Sequence, residues 1–477
     1  MTSTKRFRQA VVIVHGMGEQ RPLDMLNRFI DAAIPGTTAI NEKQELPVYY
    51  SRPATESESY EARSYLARET LEYPQTEFFE YHWSHMMQGN KLSDIWDTFQ
   101  RLLFTPIWNV PSGLRVIWLA FWALILWFLW YIADGTMTWD SLSVEKIASM
   151  IAGGGALAGL LSWALTKFLP GKITASFVDV VRYLDTSPRS YAVRKNIRRG
   201  MIDFLESLHT SGRYERIIVV AHSLGAYIAY DGISYLWTKM NQDHVLPLAA
   251  GQEDRRKKEL DPDVLARFES AATELKDGKT NDPEAYRALQ RELWAAHRAA
   301  GNSWLITDFV TAGTPMYMAD KLLTKDEDEF RVRQTRRDIA SCPPFPDLPG
   351  KKKKGIFSYP YKGGDVLYHA APFAVVRWSN MWFPAHLGFF GDWFGGPLAR
   401  LFGTGIKDYP LMGNDWKRFL PAWAHTLYFT YPEDESEGSA TGVLHDFMEL
   451  DPQAWWPNGA RAKPAGDPDV KGVESDE

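Results

Sequence analysis

The sequence is poorest in cysteine. Cys342 is the only one in 477 residues, so no intramolecular disulfide can form, no cysteine cluster can ligate a metal, and an oxidising compartment is not implied. An excess of one sign of charge is also missing. Charged residues make up 23% of the chain and the formal net charge is -6, which leaves no electrostatic footprint for a nucleic-acid partner. No repeat of solenoid length is visible. Met1 to Arg8 is polar and basic, but the apolar run behind it is short and ends at His15 and Gly16 without a cleavage-like region, so no secretory signal is expected. Aromatic residues, by contrast, reach 14% with 19 tryptophans, and many crowd into two stretches.

Residues 216 to 225 read Arg-Ile-Ile-Val-Val-Ala-His-Ser-Leu-Gly. Ile217 to Val220 is the short apolar, β-branched run of a fully buried strand, and the next five residues turn sharply into an apolar helix beginning near Ala226. The residues two before and two after the serine are the small Ala221 and Gly225. A tight strand-to-helix turn needs them so that the two backbones can approach and the hydroxyl of Ser223 can stand clear of the sheet. Ala10 to Val14 predicts a second buried strand. It runs into His15-Gly16-Met17-Gly18-Glu19-Gln20, a glycine-rich turn whose N–H groups can face negative charge on an oxygen.

At these two places the chain resembles the α/β-hydrolase superfamily, particularly its lipase-like and esterase-like members, although the family form has glycine where Ala221 stands. The resemblance implies an α/β fold, with a mostly parallel sheet and helices on both faces. It implies Ser223 as nucleophile, and an oxyanion hole made of the Leu224 N–H and one from Met17 or Gly18. His15 is expected to prop the loop rather than to do chemistry. No metal or organic cofactor is required.

A nucleophilic serine needs a base, and the base needs a carboxylate. In this fold they follow in the order serine, acid, histidine, the acid lying beyond a strand for which Phe373 to Trp378 is the candidate. Reading on from Ser379, the first carboxylate is Asp392. Its surroundings, Trp378-Ser379-Asn380 and then Asp392-Trp393-Phe394-Gly395-Gly396-Pro397-Leu398, resemble the acid loop of some bacterial lipase-like hydrolases. Asp408 and Asp415 are rivals. His425, in Trp423-Ala424-His425-Thr426-Leu427-Tyr428, resembles the His-(Ser/Thr)-x-Tyr of the same relatives and is the expected base; His386 breaks the order and His445 sits in an acidic, helical tail. The aromatics from Trp378 to Phe402 suggest an acyl-binding wall or a lid, with core packing as the alternative.

Val116 to Ala133 and Ile147 to Thr166 carry no charge and are each long enough to cross most of a hydrocarbon core of about 30 Å. They predict a transmembrane hairpin, with Gly155 and Gly159 as a packing face and an aromatic interfacial helix over 92–109 before it. Arg101, Arg115, Lys167 and Lys172 flank it, which orients the body toward the cytoplasm in a multi-pass membrane localisation. The expected organisation is hydrolase core over 1–91, interfacial helix and hairpin over 92–172, core with the serine turn over 173–240, a charged helical insertion over 241–300, core with the acid and histidine loops over 301–450, and a polar tail over 451–477. The function expected is a membrane-anchored serine hydrolase cleaving a carboxylic ester, such as a lipid. The alternative is an inactive hydrolase-fold scaffold that binds a partner through 241–300.

Overall fold

The computed structural model describes residues 7–16, 23–33, 49–54, 63–67, 75–87, 104–110, isolated positions between 115 and 126, 180, 182–184, 188–245, 260–280, 282–346, 357–361, 364–385, 391–412, 416–419, 421–429 and 440–450. Within them the strands are β1 (Arg8–Val14), β2 (Tyr49–Pro53), β3 (Arg63–Ala67), β4 (Gln75–Tyr81), β5 (Arg216–His222), β6 (Ile306–Ala312), β7 (Ser358–Tyr361), β8 (Gly364–Leu367), β9 (Arg377–Trp382) and β10 (Lys407–Pro410). The principal helices are α1 (Asp24–Ala33), α2 (Pro188–Thr210), α3 (Gly225–Val245), α4 (Pro262–Lys276), α5 (Glu284–Ala299) and α6 (Ala440–Met448).

Eight strands form one sheet in the order β10-β9-β6-β5-β1-β4-β3-β2, and β7 pairs with β8 in a separate antiparallel ribbon. From β10 to β4 every pairing is parallel; β3 and β2 add an antiparallel edge. Strands in the middle of a parallel sheet are covered on both faces, which is why β5 and β6 are buried at every residue; β5 shows it in sequence as the unbroken apolar run Ile217 to Ala221, whereas β6 buries Thr307, Asp308 and Thr311 as well. The two faces separate by alternation. Ala10, Val12, Val14, Ile217 and Val219 pack into one core with residues of α2 to α5, while Val11, Ile13, Ile218 and Val220 pack into another with Leu26 and Phe29 of α1 and Leu444 and Phe447 of α6. The fold is therefore α/β, a mostly parallel sheet between two layers of helices.

Several sequence expectations are revised. The membrane hairpin and the multi-pass membrane localisation are corrected: among the described residues no helix is long and apolar enough to cross a membrane. The two helices with sufficient length, α2 and α3, are core helices whose facing sides carry an ion pair, Arg198 to Asp231 at 2.6 Å. The spans 116–133 and 147–166 themselves lie almost wholly outside the described residues, as does most of 92–109. In the part that is described, Ile107–Asn109 is a short 3-10 turn.

The strand expected at Phe373 to Trp378 starts later. Pro372 opens a 3-10 turn, to whose carbonyl the N–H groups of Val375 and Val376 donate, and extended backbone begins only where Arg377 pairs with Asp308. Within the described part of the charged stretch, α5 packs on the sheet. On α5, Arg287 donates to the Trp378 carbonyl at 2.9 Å and to Ser379 Oγ at 2.8 Å, and Gln290 donates to the carbonyls of Phe373 and Val376. These bonds hold β9, and with it the chain leading to Asp392.

Candidate active site

The carboxyl ends of β1, β5, β6 and β9 lie side by side, the edge of an open α/β sheet where ligands bind. Ser223 follows β5 with φ of 54°, a left-handed conformation that costs a non-glycine residue about 1–3 kcal/mol. The surroundings over-determine it. Its N–H donates to the Ala312 carbonyl at 3.0 Å, and its own carbonyl accepts from Ala226 N–H as α3 begins. Gly225 lies so close to β1 that an added Cβ would meet the carbonyl oxygens of Val14 at 2.4 Å and His15 at 2.5 Å. The absence of a side chain there lets strand and helix cross, which explains the small residue that the sequence pattern required.

His425 comes from a loop 202 residues further on, and its Nε2 stands 2.9 Å from Ser223 Oγ. Its Nδ1 faces Asp392, 3.0 Å from Oδ1 and 3.1 Å from Oδ2. A carboxylate only accepts, so Nδ1 carries the proton and donates it, leaving Nε2 bare to accept the serine O–H. Asp392 is buried and also accepts from Tyr428 OH at 2.6 Å and from Phe394 N–H at 2.8 Å. Burial, and then the nearby Asp392 charge, pushes the Tyr428 phenol well above its ordinary range, so it stays a donor. Ser223 and Asp392 expose almost nothing, whereas 14% of the His425 side chain is open. The imidazole is the solvent-facing member of the three.

Two glycines make room for this arrangement. At Gly313, with φ of 53°, a Cβ would meet the Tyr428 ring at 2.3 Å and Asp392 Oδ2 at 2.8 Å; at Gly395 it would meet Asp392 Oδ2 at 2.8 Å. Asp408, the rival acid, lies elsewhere. It accepts from Asn380 Nδ2 at 2.7 Å, from Leu398 N–H at 3.0 Å and from Ala399 N–H at 2.7 Å, and Asn380 also donates to the Gly396 carbonyl. The Trp-x-Asn and Gly-Pro-Leu segments noted in the sequence are thus tied together beneath the loop that carries Asp392.

Of the expected oxyanion donors, Leu224 is buried in the first turn after Ser223, and Met17 and Gly18 lie outside the described residues, as do Asp415 and His386. His15 is a strut. Its Nδ1 donates to the Gly16 carbonyl at 2.8 Å, its Nε2 accepts from Trp83 N–H at 3.2 Å, and burial holds it neutral by lowering its pKa to about 3. Phe383, Trp393, Phe394 and Phe402 are buried, so these aromatics are core, and Phe394 packs on His425 with ring centroids 5.0 Å apart. A cleft of about 500 Å³ touches Asp392, Trp382 and Gly395 but neither Ser223 nor His425.

Sequence reasoning did not find His222 or Tyr428 as members of the site. The Tyr428 signal was present in its spacing of three from His425; His222 had none beyond adjacency to the serine. Among the described residues no group of three or more His, Cys, Asp or Glu side chains is placed to hold a metal ion. Compared with known protein families, with curated protein sequences and with solved structures, the chain matches none.

Proposed function

We propose that this chain is a serine hydrolase of α/β-hydrolase type that cleaves a carboxylic ester through Ser223, His425 and Asp392. The observation that carries the reading is the pair of contacts made by one imidazole, 2.9 Å to a strained serine hydroxyl and 3.0 Å to a buried carboxylate. In the reaction, Ser223 Oγ attacks the ester carbonyl while His425 Nε2 takes its proton. Asp392 holds the imidazole tautomer and offsets the imidazolium charge. This reading assigns the oxyanion to the Leu224 N–H and to one from Met17 or Gly18. His425 then gives its proton to the leaving alcohol, and a water, deprotonated by the same nitrogen, hydrolyses the acyl-serine.

Turnover of p-nitrophenyl esters of short and long acyl chains tests this. Wild type is expected to hydrolyse at least one, and Ser223→Ala and His425→Ala to lose about 10⁴-fold or more in kcat. A wild-type protein inert toward the whole series, or a Ser223→Ala variant as active as wild type, would sink the proposal.

A further inference from the structure

His222, the residue immediately before Ser223, is buried between the serine turn and the loop that carries His425. Its ring lies 4.7 Å from the His425 ring and 5.5 Å from that of Tyr428, centroid to centroid. Its Nε2 is 2.9 Å from the backbone carbonyl oxygen of His425, a contact that closes 203 residues of chain. A carbonyl can only accept, so this nitrogen carries a proton and donates it. The other nitrogen, Nδ1, faces Gly16, where a Cβ would come within 2.6 Å of it. One side chain of the serine turn therefore reaches both the base loop and the first glycine of the oxyanion turn. Burial, with His425 beside it, keeps the ring neutral, so the tautomer is set by the carbonyl alone.

On its far side the base loop is tied by Tyr428, whose OH donates to Asp392 Oδ2 at 2.6 Å and accepts from Phe383 N–H at 3.1 Å; His222 supplies the tie on the side of the serine turn. The loop consists of one helical turn, Pro421–Ala424, closed by Thr426 N–H to the Trp423 carbonyl at 2.9 Å and Leu427 N–H to the Ala424 carbonyl at 3.3 Å. Those bonds shape the loop internally but do not fix it to the sheet. We propose that His222 is a positioning residue: the N–H it gives to the carbonyl of His425 sets the base loop where its imidazole meets Ser223 Oγ. This rests on the reading of Ser223, His425 and Asp392 as a triad. It concerns placement of the base and not binding of the ester, so its loss falls on kcat.

The experiment compares His222→Leu, which keeps apolar bulk and removes the donor, with His222→Gln, whose amide N–H reaches about as far as Nε2. Both are measured for kcat and KM on the best p-nitrophenyl ester, for the rate of fluorophosphonate labelling, and for thermal midpoint. His222→Leu is expected to lose ~10- to 100-fold in kcat with little change in KM, the cost of displacing a reacting group by about 1 Å. His222→Gln is expected to recover most of that loss at a similar thermal midpoint. If the leucine variant fails to fold, His222→Asn replaces it, because the shorter amide cannot reach the carbonyl. Equal kcat in wild type and the donor-less variant overturns the role. So does a loss in His222→Gln as large as in that variant. A wild type that turns over while His222→Leu is unaffected removes only the positioning role; a wild type that neither turns over nor is labelled removes the triad and this role with it.

Discussion

Gly16 and Gly313 show how little slack the site has. A Cβ on Gly16 would lie 2.6 Å from His222 Nδ1 and 2.9 Å from Ser223 Cβ, both belonging to buried residues that cannot swing away. Gly16→Ala is therefore expected to push the serine turn off its partner and to reduce kcat/KM for ester hydrolysis by at least about tenfold, since small misplacements at a reacting centre are expensive. Unchanged kinetics in that variant would mean that the turn has room to give. At this scale the sequence was informative wherever geometry demands a particular residue type. Gly16, Gly225 and the histidine three before Tyr428 each stand out because nothing larger, or nothing else, does the same job. Nothing in the sequence around Gly313 shows that the Tyr428 phenol and the Asp392 carboxylate press against it.

Among the elements, what holds helix α6 was the least legible. Arg216, at the start of β5, is fully buried. It donates to Asp308 Oδ2 at 2.7 Å, to Thr307 Oγ1 at 2.8 Å, and to the carbonyls of Met448 and Glu449 at 2.8 Å. Arg377, at the start of β9, reaches the other oxygen of Asp308 and also Glu449, and Arg291 of α5 pairs with Glu449 as well. Burial alone would raise the Asp308 carboxyl, but Arg377 and Arg216 outweigh it and hold it below its ordinary value. This cluster fastens the end of α6 beneath the opposite ends of the strands from the serine. Arg216→Met leaves Asp308 without one of its two cations and is expected to cost about 3–5 kcal/mol of stability, read by urea denaturation. A loss within the scatter of surface substitutions would mean that the cluster is not what holds the helix. An arginine bordering an apolar strand looks solvent-facing in sequence, and its burial depends on a carboxylate 92 residues later. The strands themselves were legible because a parallel sheet buries both faces and leaves unbroken apolar runs. The register of β9 was not, because Pro372 turns the first half of an equally apolar run.

Across the whole molecule, three buried histidines couple stability to pH. Burial holds His15 at about 3 and His209 at about 4, and holds His222 well below 6.5. Unfolded, each takes up a proton near 6.5, so below that value the unfolded chain binds more protons than the fold does. The stability each contributes is complete above pH 6.5. It is lost as the pH falls toward the folded values, by up to ~1.4 kcal/mol per pH unit for each histidine. Denaturant melts between pH 7 and 4.5 are expected to show this decline. His209→Asn, which keeps a donor for the Leu205 carbonyl but cannot titrate, is expected to reduce the slope by about one proton; an identical slope would remove His209 from the account. The α/β class was legible in the sequence through the strand-and-turn motifs at Ser223 and Gly16, whose resemblance implied it. The membrane reading was not upheld: among the described residues no helix is long and apolar enough to cross a membrane. The central claim, that Ser223 is a nucleophile activated by His425, is tested most directly by intact-mass measurement after incubation with a fluorophosphonate. Wild type is predicted to gain one adduct, located by peptide mapping at Ser223, and Ser223→Ala to gain none. An unmodified wild type, or an adduct that persists in Ser223→Ala, would contradict it.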